Sequence, residues 1–253
     1  MPHNSAIGFL DSGVGGISVM TALRTALPFE DFILYGDSAN APYGTKPVEA
    51  VRQLALNAAQ KLMDKHIKAL VIACNTITCV AGDTLKKALP VPVVGIVPAV
   101  EQAQLLRRQG DILVMGTPDT MAGDVMHRLL KEHGQHALPL SCPGLMEFVE
   151  KGELDSPRLH DYLKRLFAPY ENSKIDVVAL GCTHYPFLQK AIARFFPPDT
   201  VLIDGSARTL DELLTVLQEK DLFTAQKTPG TTQLYTSGGQ DTLRLMETLL
   251  NQG

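Results

Sequence analysis

Val71–Ile72–Ala73–Cys74–Asn75–Thr76 ends a β-branched apolar run on a cysteine and follows it with two small hydrogen-bonding residues, after which a helical pattern begins. Far downstream, Val177–Val178–Ala179–Leu180–Gly181–Cys182–Thr183–His184 repeats the arrangement. Each stretch reads as a buried strand whose carboxyl end delivers a thiol to the start of a helix. In open α/β sheets, ligands bind in the crevice outside such strand ends. Two thiols presented in the same way from two halves suggest one site with a thiol on each side.

Before Cys74 the chain repeats a β-α pattern. Ile7–Leu10 is a short apolar strand, and Asp11–Ser12–Gly13–Val14–Gly15–Gly16 turns sharply into a helix that should bury Val19, Leu23 and Leu27 before Pro28. The glycines do not have the G-x-G-x-x-G spacing of a dinucleotide site, and Asp11 would set a negative charge where a phosphate must lie. The turn is either a plain strand-to-helix connection or one that aims a carboxylate and a hydroxyl into the crevice. Phe32–Tyr35 is the next strand. A loop of turn formers, Ala39–Thr45, then leads to a long helix through Lys65. Within the loop, Pro42–Tyr43–Gly44 is a turn by spacing alone; in a functional reading it lines a small anionic pocket. After the Cys74 strand, a helix to about Leu89 and a strand Val93–Val97 complete four β-α repeats, the pattern of a parallel sheet covered on both faces.

Around Pro98 the count restarts. A helix over Ala99–Arg108 leads to strand Ile112–Met115, which ends in Gly116–Thr117–Pro118–Asp119–Thr120 and a further helix. Asp11 lies 63 positions before Cys74, and Thr117 lies 65 before Cys182. This near-equal spacing suggests two similar halves. Ser141–Gly144 should start a helix carrying Glu147 and Glu150 to Gly152, with both acids solvated unless one turns inward. Cys142, before Pro143, reads as structural. Pro186 suits the first turn of a helix after Cys182. The tail reads as strand Val201–Asp204, helix Thr209–Glu219, strand Gln233–Thr236 and a last helix burying Leu243, Met246 and Leu250. We expect it to return to the first half's sheet.

Composition narrows the function classes. The 253 residues suffice for one large or two modest domains. With 23 basic against 27 acidic side chains and no basic block, a phosphate-tracking surface is disfavoured, so no direct nucleic-acid partner is expected. No apolar run reaches the length of a membrane span, so no membrane partner is expected either. Met1–Ser5 lacks the basic start of a secretory signal. The four cysteines, Cys74, Cys79, Cys142 and Cys182, contain no C-x-x-C pair. They read as reduced thiols of a cytoplasmic protein, with no metal site.

A thiol at a strand end facing a helix amino terminus has its thiolate stabilised by the dipole and free N–H groups. The same N–H groups, with Asn75, Thr76 and Thr183, would cradle a carboxylate. Thiols on opposite faces of a bound carbon could take a proton on one side and return one on the other, titrating as a coupled set. Asp11 and His184 are placed to carry protons or tune the thiols. Three alternatives stay open on these residues alone. One is a cysteine nucleophile with His184 as base. The second is a redox pair close enough to bridge, and the third is two inert buried cysteines.

The motifs together resemble the glutamate racemases of the aspartate/glutamate racemase family. The likeness lies in DSGVGG (Asp11–Gly16), YGDSANAPYG (Tyr35–Gly44), ACNT (Ala73–Thr76) and LGCTHYP (Leu180–Pro186), with GT-x-x-T at Gly116–Thr120 and CPG…VEKG through Glu150. Six motifs in order span nearly the whole chain. The resemblance implies two doubly wound, flavodoxin-like α/β domains related by pseudo-twofold symmetry, with the active site between them. We place them at residues 1–97 with 207–253, and at residues 98–206. It implies a cofactor-independent, two-base racemisation supplying D-glutamate for bacterial peptidoglycan, with no pyridoxal phosphate. Cys74 would serve the D-enantiomer and Cys182 the L-enantiomer, Asp11 assisting the first, and His184 with Glu150 the second. Ser12, Asn75, Thr76 and Thr183 would hold the amino and α-carboxylate groups, while Pro42, Tyr43, Gly44, Thr117 and Thr120 would meet the side-chain carboxylate. A homodimer is expected. The same chemistry on aspartate or a related acid is the nearest alternative, since one methylene is worth only about 1–3 kcal/mol. An added gyrase-restraining role, known for some family members, is another. The chain departs from the family pattern at Gly123, Met126, Asp204–Gly205–Ser206 and Ser237–Gly238–Gly239.

Overall fold

The computed structural model describes residues 5–252; of the opening segment, positions 1–4 lie outside them. The chain divides into two compact units, one running to Val97 and resuming at Ser206, the other spanning Pro98–Gly205.

The first unit alternates strand and helix, as its apolar runs and turn residues require. Its elements are β1 (Ile7–Asp11), α1 (Gly16–Ala26), β2 (Phe32–Gly36), α2 (Val48–Met63), β3 (Ala69–Ile72), α3 (Asn75–Ala88) and β4 (Val93–Gly95). The second unit continues with α4 (Val100–Leu106), β5 (Asp111–Gly116), α5 (Pro118–Ala122), α6 (Asp124–His133), β6 (Ala137–Ser141), α7 (Met146–Glu150), α8 (Pro157–Phe167), β7 (Ile175–Leu180), α9 (Gln189–Ala193) and β8 (Val201–Asp204). The chain then adds α10 (Ser206–Glu219), β9 (Thr232–Thr236) and α11 (Gln240–Leu250) to the first unit.

Both sheets are parallel throughout. The first has the order β4-β3-β1-β2-β9 and the second β6-β5-β7-β8. Read from β2 and from β6, the two share one order, 2-1-3-4 within each unit, which is the flavodoxin-like winding. The direction of winding therefore reverses at β1/β3 in one unit and at β5/β7 in the other. Those switch points are where the two cysteine stretches end.

Strands covered on both faces must be apolar on both, and β1 and β3 are fully buried. In the first unit Leu10, Leu70 and Ile72 join Val51, Ala55, Ala58 and Ala59 of α2 and Ile77, Ala81 and Leu85 of α3 in one core cluster. Phe9 and Phe32 project to the other side, their rings 5.6 Å apart, where α1 packs with α10 and α11. In the second unit Ile112, Val114, Val177 and Ala179 cluster with Val100 and Ala103 of α4 and Met126 and Leu129 of α6. Each buried Val, Leu, Ile or Met among them stabilises the fold by about 1.5–3 kcal/mol relative to its exposed state.

Several sequence expectations are corrected. The helix predicted from Ser141 begins only at Met146, because Gly144 takes a left-handed φ of 81° and breaks the turn. No long helix follows Cys182. Tyr185–Leu188 is a 3₁₀ turn leading into the five-residue α9, and Pro186 contributes no N–H. The last helix buries Met246 and Leu249, while Leu243 and Leu250 are only partly covered. Strand β6 and helix α8 were not anticipated. The first contains Pro139 at the edge of its sheet, and a proline there reads as a strand breaker.

Candidate active site

In the first unit the site residues gather at the carboxyl ends of β1 and β3. Asp11 closes β1, is fully buried, and accepts the N–H of Gly13 at 2.7 Å. Gly16 opens α1 against it: an added Cβ would stand 2.8 Å from Asp11 Cβ and 3.2 Å from Ala73 Cβ. A larger residue would push the carboxylate and the β3 end apart. The Ser12 hydroxyl lies 3.4 Å from the Cys74 sulfur. Cys74 is itself the N-cap of α3, with extended φ and ψ of −135° and 120°, and its carbonyl accepts the Thr78 N–H and hydroxyl at 2.9 and 3.0 Å. The thiol thus sits where the partial positive charge of a 14-residue helix is concentrated, as the sequence predicted. Asn75 is buried beside it, and its side-chain Oδ1 has no hydrogen-bond partner among the described residues. Thr76 is half-buried.

The loop after β2 supplies Pro42, Tyr43 and Gly44. Pro42 is exposed and Gly44 half-exposed, but Tyr43 is buried and its hydroxyl donates to Asp37 at 2.6 Å. Burial first, then this contact with Asp37, hold the phenol well above its ordinary range, so it stays a neutral donor. Asp37 stands directly at a strand end inside the Tyr35–Gly44 motif, and the sequence alone assigns it no role.

In the second unit, Thr117 caps α5. Its hydroxyl accepts the Thr120 N–H at 3.3 Å and lies 2.9 Å from the Thr120 hydroxyl. Across β5, Gly181 donates to the Met115 carbonyl at 2.8 Å; an added Cβ would stand 2.4 Å from that same oxygen. Only glycine lets β7 deliver Cys182 this close to β5. The Cys182 sulfur lies 3.6 Å from His184 Nδ1, and His184 Nε2 lies 2.7 Å from Glu150 Oε1. Thiol and imidazole are both buried; Glu150 is partly exposed, while Glu147 is solvated. Burial disfavours the imidazolium, but the hydrogen bonds and charges of Cys182 and Glu150 outweigh it and raise the pKa well above 6.5. In that form both ring nitrogens donate, Nδ1 to the sulfur and Nε2 to the carboxylate. Thr183 is buried between them in sequence.

Behind Cys182 lie Cys142 and Tyr185, both buried. Burial pushes the Cys142 thiol up to about 12, and its sulfur donates to the Leu140 carbonyl at 3.4 Å, which is the structural role expected for it. Ser12 and Cys74 are therefore brought together in one unit, and Cys182, His184 and Glu150 in the other. Among the described residues, no group of three or more His, Cys, Asp or Glu side chains is placed to hold a metal ion. No helix among them is long and apolar enough to cross a membrane.

Comparison with known proteins adds to this geometry. The chain matches the model for Asp/Glu/Hydantoin racemases over residues 10–213. It is 42% identical to a glutamate racemase of Clostridium botulinum over 241 residues, 94% of this chain and 93% of that one. A solved glutamate racemase of Bacillus anthracis superposes with a TM-score of 0.86 at 31% identity, covering 98% of this chain and 94% of the other. One from Francisella tularensis, solved in complex with D-glutamate, gives 0.82 at 29% identity, with 98% and 94% covered. Two parallel α/β units, each ending its switch-point strand in a buried thiol, together with this breadth of similarity, settle the family: the chain belongs to the Asp/Glu/hydantoin racemases.

Proposed function

We propose that the chain is a glutamate racemase that interconverts L- and D-glutamate by moving the α-proton between two thiols, without an organic cofactor or a metal. One observation carries the reading: Cys74 and Cys182 occupy the same topological place in two sheets of the same winding, each beside its own polar partner. Inversion at carbon needs a base on one face and an acid on the other, and two equivalent thiol positions supply both. Cys74 acts on the D-enantiomer and Cys182 on the L-enantiomer. Asp11 accompanies Cys74. His184, held by Glu150, carries the proton for Cys182. The buried Oδ1 of Asn75, an acceptor with no donor among the described residues, suits the substrate amino group, with Ser12, Thr76 and Thr183 around the α-carboxylate. The Pro42–Gly44 loop and the Thr117–Thr120 cap take the side-chain carboxylate, and the D-glutamate made would serve peptidoglycan synthesis.

The test uses purified protein with each enantiomer of glutamate and of aspartate in D₂O, following optical rotation and deuterium at the α-carbon. Rotation falling to zero from both glutamate enantiomers, with little change for aspartate, is the expected result. Equal turnover of aspartate would reassign the substrate, and the absence of exchange in every substrate would overturn the reading.

A further inference from the structure

We infer that Asp37, braced by Ser237 of the C-terminal segment, is a positioning residue that sets recognition of the substrate's side-chain carboxylate through the Pro42–Gly44 loop. The inference rests on the proposed placement of that carboxylate.

Asp37 is buried just past β2, and its N–H donates to the Asp11 carbonyl at 2.9 Å, so its backbone is tied to the end of β1. Its carboxylate then gathers three side chains. Asn40 Nδ2 donates to both oxygens at 3.1 and 3.0 Å, the Tyr43 hydroxyl to Oδ2 at 2.6 Å, and the Ser237 hydroxyl to Oδ1 at 2.6 Å. Both O–H contacts have the short length of bonds to an ionised acceptor. A carboxylate only accepts, so these donors and this acceptor match in sign throughout.

The loop depends on this hub. Its own backbone bonds are short-range turns, Asn40 N–H to the Asp37 carbonyl, Ala41 N–H to Ser38 and Lys46 N–H to Tyr43. Tyr43 is therefore held by Asp37 and by the surrounding core, and Tyr43 carries the backbone of Pro42 and Gly44 with it. Ser237 completes the brace from 200 positions away: it accepts the Ala39 N–H at 3.0 Å and donates its own N–H to the Gly36 carbonyl at 3.1 Å. It lies beyond residue 213, where the match to the family model ends. The C-terminal strand β9 thus has a task besides closing the sheet.

The test compares wild type, Asp37→Asn, Ser237→Ala and Ser237→Thr in glutamate racemisation, with norvaline, which lacks the distal carboxylate, as a competitive probe. Asp37→Asn replaces an acceptor with a donor facing hydroxyls that also donate. The expected result is a KM for glutamate raised about tenfold with kcat within about twofold, the signature of binding lost equally in the ground state and the transition state. Ser237→Ala should move KM the same way by less, and Ser237→Thr should restore it. Norvaline inhibition should stay unchanged in Asp37→Asn, so the glutamate–norvaline gap narrows. A fall in kcat or thermal stability with KM and that gap unaltered would make Asp37 merely structural and overturn the inference. Norvaline binding wild type as well as glutamate does would instead remove the carboxylate from this loop, overturning the placement and the inference together.

Discussion

His184 Nε2 lies 2.7 Å from Oε1 of Glu150, with the imidazole buried and the carboxylate partly open to solvent. The pair keeps a proton next to Cys182 that burial alone would expel. Replacing Glu150 with Gln removes the charge but keeps the shape. We expect activity to fall roughly 10²-fold, within the range for a disturbed acid–base group, and the alkaline limb of the pH–rate profile to move to lower pH. The stability effect has a definite sign. A pKa raised on folding contributes stability that is fully present below the unfolded value, near 6.5, and is lost as pH rises through the folded value. Urea unfolding should therefore separate wild type from Glu150→Gln most below pH 6.5 and progressively less above it.

The two thiols should fail in different ways. In Cys74→Ala, racemisation should drop at least about 10³-fold, more than a tuning group costs and near the top of the acid–base range. Deuterium uptake from L-glutamate should outlast uptake from D-glutamate, because Cys182 remains. Cys182→Ala should show the opposite bias. Mass spectrometry of each enantiomer incubated in D₂O reads this directly, and equal exchange from both enantiomers in either variant would contradict the assignment.

Cysteine labelling should rank the thiols. Cys142 is buried and its pKa is pushed up to about 12, so at neutral pH it carries almost no thiolate. Cys79, only partly covered on α3, should react with iodoacetamide first. Cys142 should stay unmodified in peptide mapping until denaturant is added.

Gly181 has a steric task that no other residue can perform. A Cβ there would stand 2.4 Å from the Met115 carbonyl oxygen, which accepts the Gly181 N–H. Gly181→Ala must open the β5–β7 contact or shift Cys182, at a cost of about 1–3 kcal/mol, as for other overpacked sites. We expect a lowered midpoint in urea unfolding and a loss in kcat larger than the change in KM.

Much of this molecule could be read along the chain. Strand β3 and the stretches Ile7–Leu10 of β1, Ile112–Gly116 of β5 and Val177–Leu180 of β7 are apolar runs because both their faces are covered, and such runs are visible without knowing what covers them. The placement of Cys74 at a helix start followed from the polar residues after the run. That of Cys182 was half right: the strand end was legible, but Pro186 and the 3₁₀ turn replaced the helix. Helix α8 has its start written locally in Ser156–Pro157, whose serine hydroxyl accepts the Leu159 N–H.

By itself the sequence determined the alternation of strand and helix, the two strand-end thiols and the family, since each depends on neighbours in the chain or on motifs of a few residues. Only the tertiary structure decided which polar groups meet. That Glu150 and not Glu147 faces His184 depends on where Gly144 releases the chain into α7. That Ser237 braces Asp37 depends on β9 docking in register beside β2, with Tyr35 opposite Tyr235 and Gly36 opposite Thr236. Contacts between residues so far apart in sequence leave no periodic trace, because they are fixed by sheet pairing rather than by local conformational preference.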